Sequence, residues 1–136
     1  LVELTYLFLP MLERRQGGII NVASTAAFQP VPYMAVYGAT KAFVLSFSEA
    51  LWGECEKFGV DVLHLVVAYT ATPAMQRLGY DLATAQDPAE AAQEGLDNIR
   101  NGPVWHCFGS LGRAREQAGV DNRQDLIRGV VAPPKK

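Results

Sequence analysis

The 136 residues hold few cysteines, few histidines and no excess of either charge. Cys55 and Cys107 are the only cysteines, so no disulfide framework staples the chain, and both are expected as free thiols of an intracellular, cytoplasmic protein. His64 lies inside an apolar run and reads as a packed core residue. His106 and Cys107 are neighbours on a strand, point to opposite faces and make no metal pair. Twelve basic against fourteen acidic residues, a net charge of −2, leave no electrostatic footprint for nucleic acid or an anionic membrane. No apolar run reaches the length of a membrane-crossing helix, and no basic-then-apolar leader opens the chain. Repeats, low-complexity tracts and an internal linker are also missing. What remains is 49% hydrophobic and 19% charged, the balance of one globular domain.

The chain opens at Leu1 in an apolar helical pattern with no N-cap, so its start is expected further upstream. Leu1, Leu4, Phe8, Met11 and Leu12 fall on one stripe of a helix over 1–16. Pro10 is expected to kink it, because its nitrogen cannot bond the carbonyl of Tyr6, and Gly17-Gly18 is expected to close it. Ile19–Ala23 is apolar on both faces apart from Asn21, as in a strand buried in a parallel sheet. Residues 25–34, with Pro30 and Pro32, read as a loop. A helix over 35–58 follows, with Phe43, Phe47, Leu51 and Cys55 as its apolar face and Gly59 as its cap. Val60–Ala68 reads as a second buried strand, and a loop runs from Thr70 to Gln86. Asp87-Pro88 is an N-cap and first turn for a helix to about Arg100, which Asn101-Gly102 closes. Val104–Phe108 is a third strand. Gly109–Lys136 has a weak helical pattern and a loose Pro-Pro-Lys-Lys tail. Regular alternation of helix and strand predicts an α/β fold with a parallel sheet and right-handed crossovers.

Residues able to do chemistry gather between Asn21 and Lys41. Tyr37 and Lys41 are four apart on a helix and share a face. Ser24 ends the first strand, thirteen positions before Tyr37. A strand end facing a helix start is where parallel α/β sheets place ligands. A tyrosine hydroxyl titrates near ~10, and acting as a base at neutral pH requires roughly 4 kcal/mol of preference for the phenolate. An ammonium about 5 Å away supplies on the order of 3 kcal/mol at an effective dielectric of ~20, so Lys41 can do most of this. Ser24 would donate to a carbonyl oxygen and steady the charge developing there. The three together suit moving a proton to or from an oxygen while hydride moves at the adjacent carbon. Tyr-x-x-x-Lys alone arises often by chance. A serine at the matching strand end, and small residues at Gly38 and Ala39, give it weight.

This set resembles the short-chain dehydrogenase/reductase family. The resemblance is carried by Ile19-Ile-Asn-Val-Ala-Ser-Thr-Ala-Ala27, Tyr37-Gly-Ala-Thr-Lys41, the Ser-to-Tyr spacing, Thr70-Ala-Thr-Pro73 after the next strand, and Leu9-Pro-Met11 before the first. It covers residues 1–76 closely and Pro88–Gly109 more weakly. It implies a partial Rossmann-like three-layer sandwich. Residues 1–136 would be the C-terminal part of one doubly wound domain, carrying the triad and substrate loop, with the N-terminal dinucleotide-binding part absent. It also implies roles: Tyr37 as acid/base, Lys41 tuning it and holding the nicotinamide ribose, and Ser24 positioning the carbonyl. Thr72 and Thr70 would join Tyr37 and Lys41 in contacting NADP or NAD, with NADP ahead. Phe28, Met34 and the loop from Ala74 to Tyr80 would line the pocket for a small carbonyl or alcohol, although core packing explains Phe28 and Met34 equally well. Homo-oligomers would form through helices 1–16 and 35–58.

The departures carry expectations too. Val67-Ala68-Tyr69 stands where the family has Pro-Gly, and Tyr69 is expected to crowd a cofactor. No Gly-rich phosphate turn occurs. Gly109-Ser-Leu-Gly112 follows the last strand and reads as a plain turn. The family's active-site Asn would lie upstream of Leu1. With no upstream strand beside it, Ile19–Ala23 would present a bare apolar edge that promotes self-association. A different class of function, a non-catalytic truncated remnant or helix-mediated interaction module, is the alternative to an enzyme.

Overall fold

Three short β-branched and leucine-rich segments make the sheet: β1 (Gly18–Val22), β2 (Asp61–Val66) and β3 (Val104–His106). They lie in the order β1-β2-β3, every pair parallel, in a computed structural model that describes residues 1–28 and 32–107. Gly18 pairs with Asp61, Val22 with Leu65, and His64 with Val104. The central strand is buried from Val62 through Val66, as a parallel strand covered on both faces must be.

Helix α1 (Val2–Arg15) precedes β1, and α2 (Ala35–Cys55) crosses from β1 to β2. A one-turn α3 (Pro73–Arg77) and α4 (Pro88–Asp97) lie between β2 and β3. Alternate residues of β2 serve opposite faces. On one side Val62 packs with Leu51 and Cys55 of α2, backed by Leu9, Leu12 and Ile19. On the other, Leu63 and Leu65 pack with Ala91 of α4 and with Cys107. The expected parallel helix–sheet–helix arrangement is thus the one adopted.

Several local expectations are corrected. The left-handed residue that closes α1 is Gln16 (φ 50), not a glycine. The amides of Gln16 and Gly17 bond back to the carbonyls of Glu13 (3.5 Å) and Leu12 (2.9 Å), a Schellman closure. A Cβ at Gly17 would lie 2.7 Å from Leu12 Cδ2, the tip of a side chain that can shift. The Phe43–Phe47–Leu51–Cys55 stripe is only half core. Four residues turn an α-helix by more than one revolution, so the stripe winds off the sheet. Phe43 is 54% exposed and stacks on Phe47, and the buried face is Leu45, Ser48, Leu51 and Cys55. Helix α2 passes into a 3-10 turn at Glu56–Phe58, which Gly59 (φ 68) closes.

Residues 25–34 are not all loop, because Thr25–Ala27 form a 3-10 turn. The segment 70–86 is not all loop either. Thr72 caps α3 by accepting from the Met75 amide at 3.4 Å, Pro73 opens its first turn, and Thr70 makes an isolated parallel bridge to Gln86. Asp87 caps α4 as expected, accepting from the Ala89 and Glu90 amides at 2.7 and 3.2 Å. A 3-10 turn at Ile99–Asn101 and a cis Gly102–Pro103 bond lead into β3. Both thiols are free and buried. The readings for Pro30, Phe108, the Gly109–Gly112 turn and the tail to Lys136 lie outside the described residues.

Candidate active site

Ser24 stands just beyond β1, where the ladder to β2 continues past the strand ends. Ala23 N–H donates to Leu65 O (2.9 Å) and Thr25 N–H to Val67 O (3.2 Å). The Ser24 backbone is extended, and its Oγ accepts from the Ala26 amide at 3.2 Å, opening the Thr25–Ala27 turn. A hydroxyl offers one proton and two lone pairs, so this cap leaves the Ser24 O–H to donate.

The first turns of α2 lie against that turn. Tyr37 is 41% exposed, and Lys41, half-buried one turn on, holds Nζ 5.6 Å from the centre of the Tyr37 ring. Between them Gly38 faces the Ser24 turn: a Cβ there would sit 3.4 Å from the Ala26 carbonyl oxygen. Ser24, Tyr37 and Lys41 are therefore gathered at the C-terminal edge of the sheet, and Thr70 and Thr72 follow β2 at the same edge. Both threonines are half-buried. Thr70 Oγ1 donates to the Ala68 carbonyl at 3.5 Å, and Thr72 Oγ1 is the α3 cap.

The two apolar candidates part company. Phe28 packs against Leu45, Val66 and Val104, with its ring 6.3 Å from that of His64 and 5.3 Å from that of His106, which is core packing. Met34, just ahead of α2, is 39% exposed. Tyr69 reaches the 70–86 segment. Its hydroxyl donates to the Asp81 carbonyl and its ring meets Tyr80 edge-on at 5.9 Å, so the expected crowding partner is tied to the 70–86 segment. Beside it lies a cavity of about 340 Å³ whose lining includes Ala68, Tyr69, Gln86 and Glu94.

One pair escaped the sequence reading. Asn21 Nδ2 donates to Ser48 Oγ at 2.9 Å, and Ser48 Oγ donates to the Val44 carbonyl at 2.7 Å, all beneath α2. The available signal was Asn21, the lone polar residue of an apolar strand. Its partner carried no mark, because serine on a helix is ordinarily a surface residue.

Residues 1–83 match the family model for short chain dehydrogenase. The chain belongs to the short-chain dehydrogenase family. This short-chain dehydrogenase is 44% identical over 111 residues to the very-long-chain 3-oxoacyl-CoA reductase of Bos taurus, which covers 78% of this chain and 36% of that protein. It spans about a third of the length of the curated relatives it matches. Among solved structures, a short-chain dehydrogenase from Sphingobium yanoikuyae in complex with NADPH aligns at 27% identity and a TM-score of 0.65, over 93% of this chain and 51% of that one. A 3-ketoacyl-(acyl-carrier-protein) reductase from Brucella melitensis complexed with NADH aligns at 25% identity and a TM-score of 0.67, over 81% and 51%. Among the described residues no helix is long and apolar enough to cross a membrane.

Proposed function

We propose that this chain is the catalytic, C-terminal portion of an NAD(P)-dependent dehydrogenase domain that interconverts a ketone and a secondary alcohol. The observation that carries the reading is the Lys41 ammonium over the Tyr37 ring, on the helix turn that Gly38 seats against the Ser24 turn. The names of the relatives point to 3-oxoacyl thioesters as the substrate class. The residues fit the nicotinamide end of such a cofactor. Lys41 makes no salt bridge among the described residues, so its ammonium has protons to offer ribose hydroxyls, and Thr70 and Thr72 add hydroxyls at the same edge. NADPH or NADH, when bound, supplies the hydride. Ser24 O–H holds the carbonyl oxygen, and Tyr37 O–H gives that oxygen its proton as charge builds there. In the oxidative direction the same groups run in reverse. The exposed apolar residues Leu4, Leu7 and Phe8 on α1 and Phe43 on α2 support a homo-oligomer joined through these helices.

The test is the absorbance of reduced nicotinamide with a 3-oxoacyl thioester or a simple ketone, with cofactor binding read by energy transfer from Trp52 and Trp105. Turnover is expected when these residues are joined to an upstream dinucleotide-binding segment, reduced by at least about a hundredfold in Tyr37→Phe with little change in KM. Such a longer protein that binds NADPH or NADH and yet turns over equally well with Tyr37→Phe would sink the reading.

A further inference from the structure

We infer that Asn21 and Ser48 form a positioning latch that sets the axial position of the Tyr37 helix against the Ser24 strand. The inference rests on the roles given above to Ser24, Tyr37 and Lys41. Asn21 is 6% exposed within β1, and Ser48 is fully buried on the sheet-facing side of α2. The layer around them is mostly apolar, with Leu51, Cys55 and Val62 below and Leu45 and Val66 above, and the buried polar group beside Asn21 is its register partner His64. Such surfaces resist separation but only weakly resist sliding. A hydrogen bond does resist it, since little of it survives at 3.6 Å or at poor angles. The Ser48 proton is committed to the Val44 carbonyl of its own helix, so its oxygen presents a lone pair in a fixed direction, and Asn21 Nδ2 takes it at 2.9 Å.

From this point two arms run to the same edge of the sheet. Ser24 lies three residues further along the β1 direction, about 10 Å at ~3.3 Å per residue. Tyr37 lies eleven residues back along α2, about 16 Å at ~1.5 Å per residue. Because α2 returns the chain between parallel strands, it runs against β1, and both arms point the same way. The distance between Ser24 and Tyr37 is therefore fixed by two stiff elements joined at one buried bond. At the far end the Gly38 Cβ position lies at ordinary contact distance, 3.4 Å, from the Ala26 oxygen, so the first turn of α2 rides on the Ser24 turn and reports its placement.

Three variants test this: Ser48→Ala, Asn21→Leu and the double variant. Each single change strands a buried polar group, whereas the double change replaces both with apolar groups and restores much of the stability. The double variant is expected to unfold near the wild-type urea midpoint yet show kcat lowered by about tenfold to a hundredfold with cofactor KM little changed, since a misplacement near 1 Å costs on that order. Recovery of both stability and kcat in the double variant would overturn the latch. A second readout needs no turnover: cross-relaxation between the Gly38 α-protons and Ala26 in labelled protein, expected to weaken in the double variant. If the wild-type chain shows no turnover, this contact alone judges the latch. Its full retention in a folded double variant overturns the latch.

Discussion

Gly38 and Gly102 look alike in the sequence and stand in opposite surroundings. At Gly38 an added Cβ makes an ordinary 3.4 Å contact with the Ala26 oxygen on a half-exposed helix turn. Gly38→Ala therefore gains helix propensity, and a stability increase of about 0.5–1 kcal/mol is expected in urea unfolding. At Gly102 a Cβ would stand 2.4 Å from the Val62 carbonyl oxygen and 3.0 Å from Trp52 Cδ1, against backbone that cannot yield. Gly102→Ala should cost about 2–3 kcal/mol by the same measurement. Burial pushes the Cys107 thiol up to about 11, with a smaller contribution from the Glu94 carboxylate. A folded-state value above the unfolded one, near 9, means that this contribution to stability is complete below pH 9 and is lost as pH rises towards 11. The urea midpoint should fall between pH 8 and 10.5, and fall less in Cys107→Ala. Neither thiol should react with a disulfide reagent at neutral pH until the chain unfolds.

At the scale of elements, what could be read from sequence was what is decided locally. Asp87-Pro88 marks the start of α4 because a carboxylate accepts two orphan amides and proline fits a first turn. Asp87→Ala is expected to destabilise by about 1 kcal/mol, measured by urea unfolding. Gly59 marks the end of the α2 segment because its φ of 68 favours a glycine. Thr72-Pro73 carries the same signature as Asp87-Pro88 and yet the segment reads as loop, since five helical residues leave no periodicity to see. The closure of α1 misleads for a different reason: two glycines follow it, but the left-handed turn falls one residue earlier, on Gln16. The every-fourth aromatic spacing of α2 marks a helix correctly but not its buried face. That face depends on how the helix crosses the sheet, and no window of sequence holds that information. Ser24 and Tyr37 drew notice in the sequence because they sit at element ends, where local signals are strongest. The Asn21–Ser48 bond joins two element interiors 27 residues apart, and no local signal announces it.

Across the whole molecule the sheet has an unpaired edge at β1 among the described residues, with Val22 56% exposed. Beside that edge runs an apolar groove of about 350 Å³ whose lining includes Leu4, Phe8, Met11 and Ile19. Self-association through this edge is expected. Light scattering should report a mass that climbs above 14.8 kDa with concentration, and Val22→Lys should lower it. A constant monomer mass across that range counts against the idea.

The strand order repeats the chain order, and each strand docks on the one made before it. A ribosome delivers the chain in that same direction. Once Val66 has cleared the exit tunnel, β1, α2 and β2 are all available, and no later residue is needed to pair them. The Ser24–Tyr37–Lys41 edge can thus be assembled before β3, about forty residues behind Val66, has left the tunnel. Nascent chains arrested when β2 has just emerged should already protect the Tyr37 segment from brief proteolysis, while those with β2 still inside the tunnel should not.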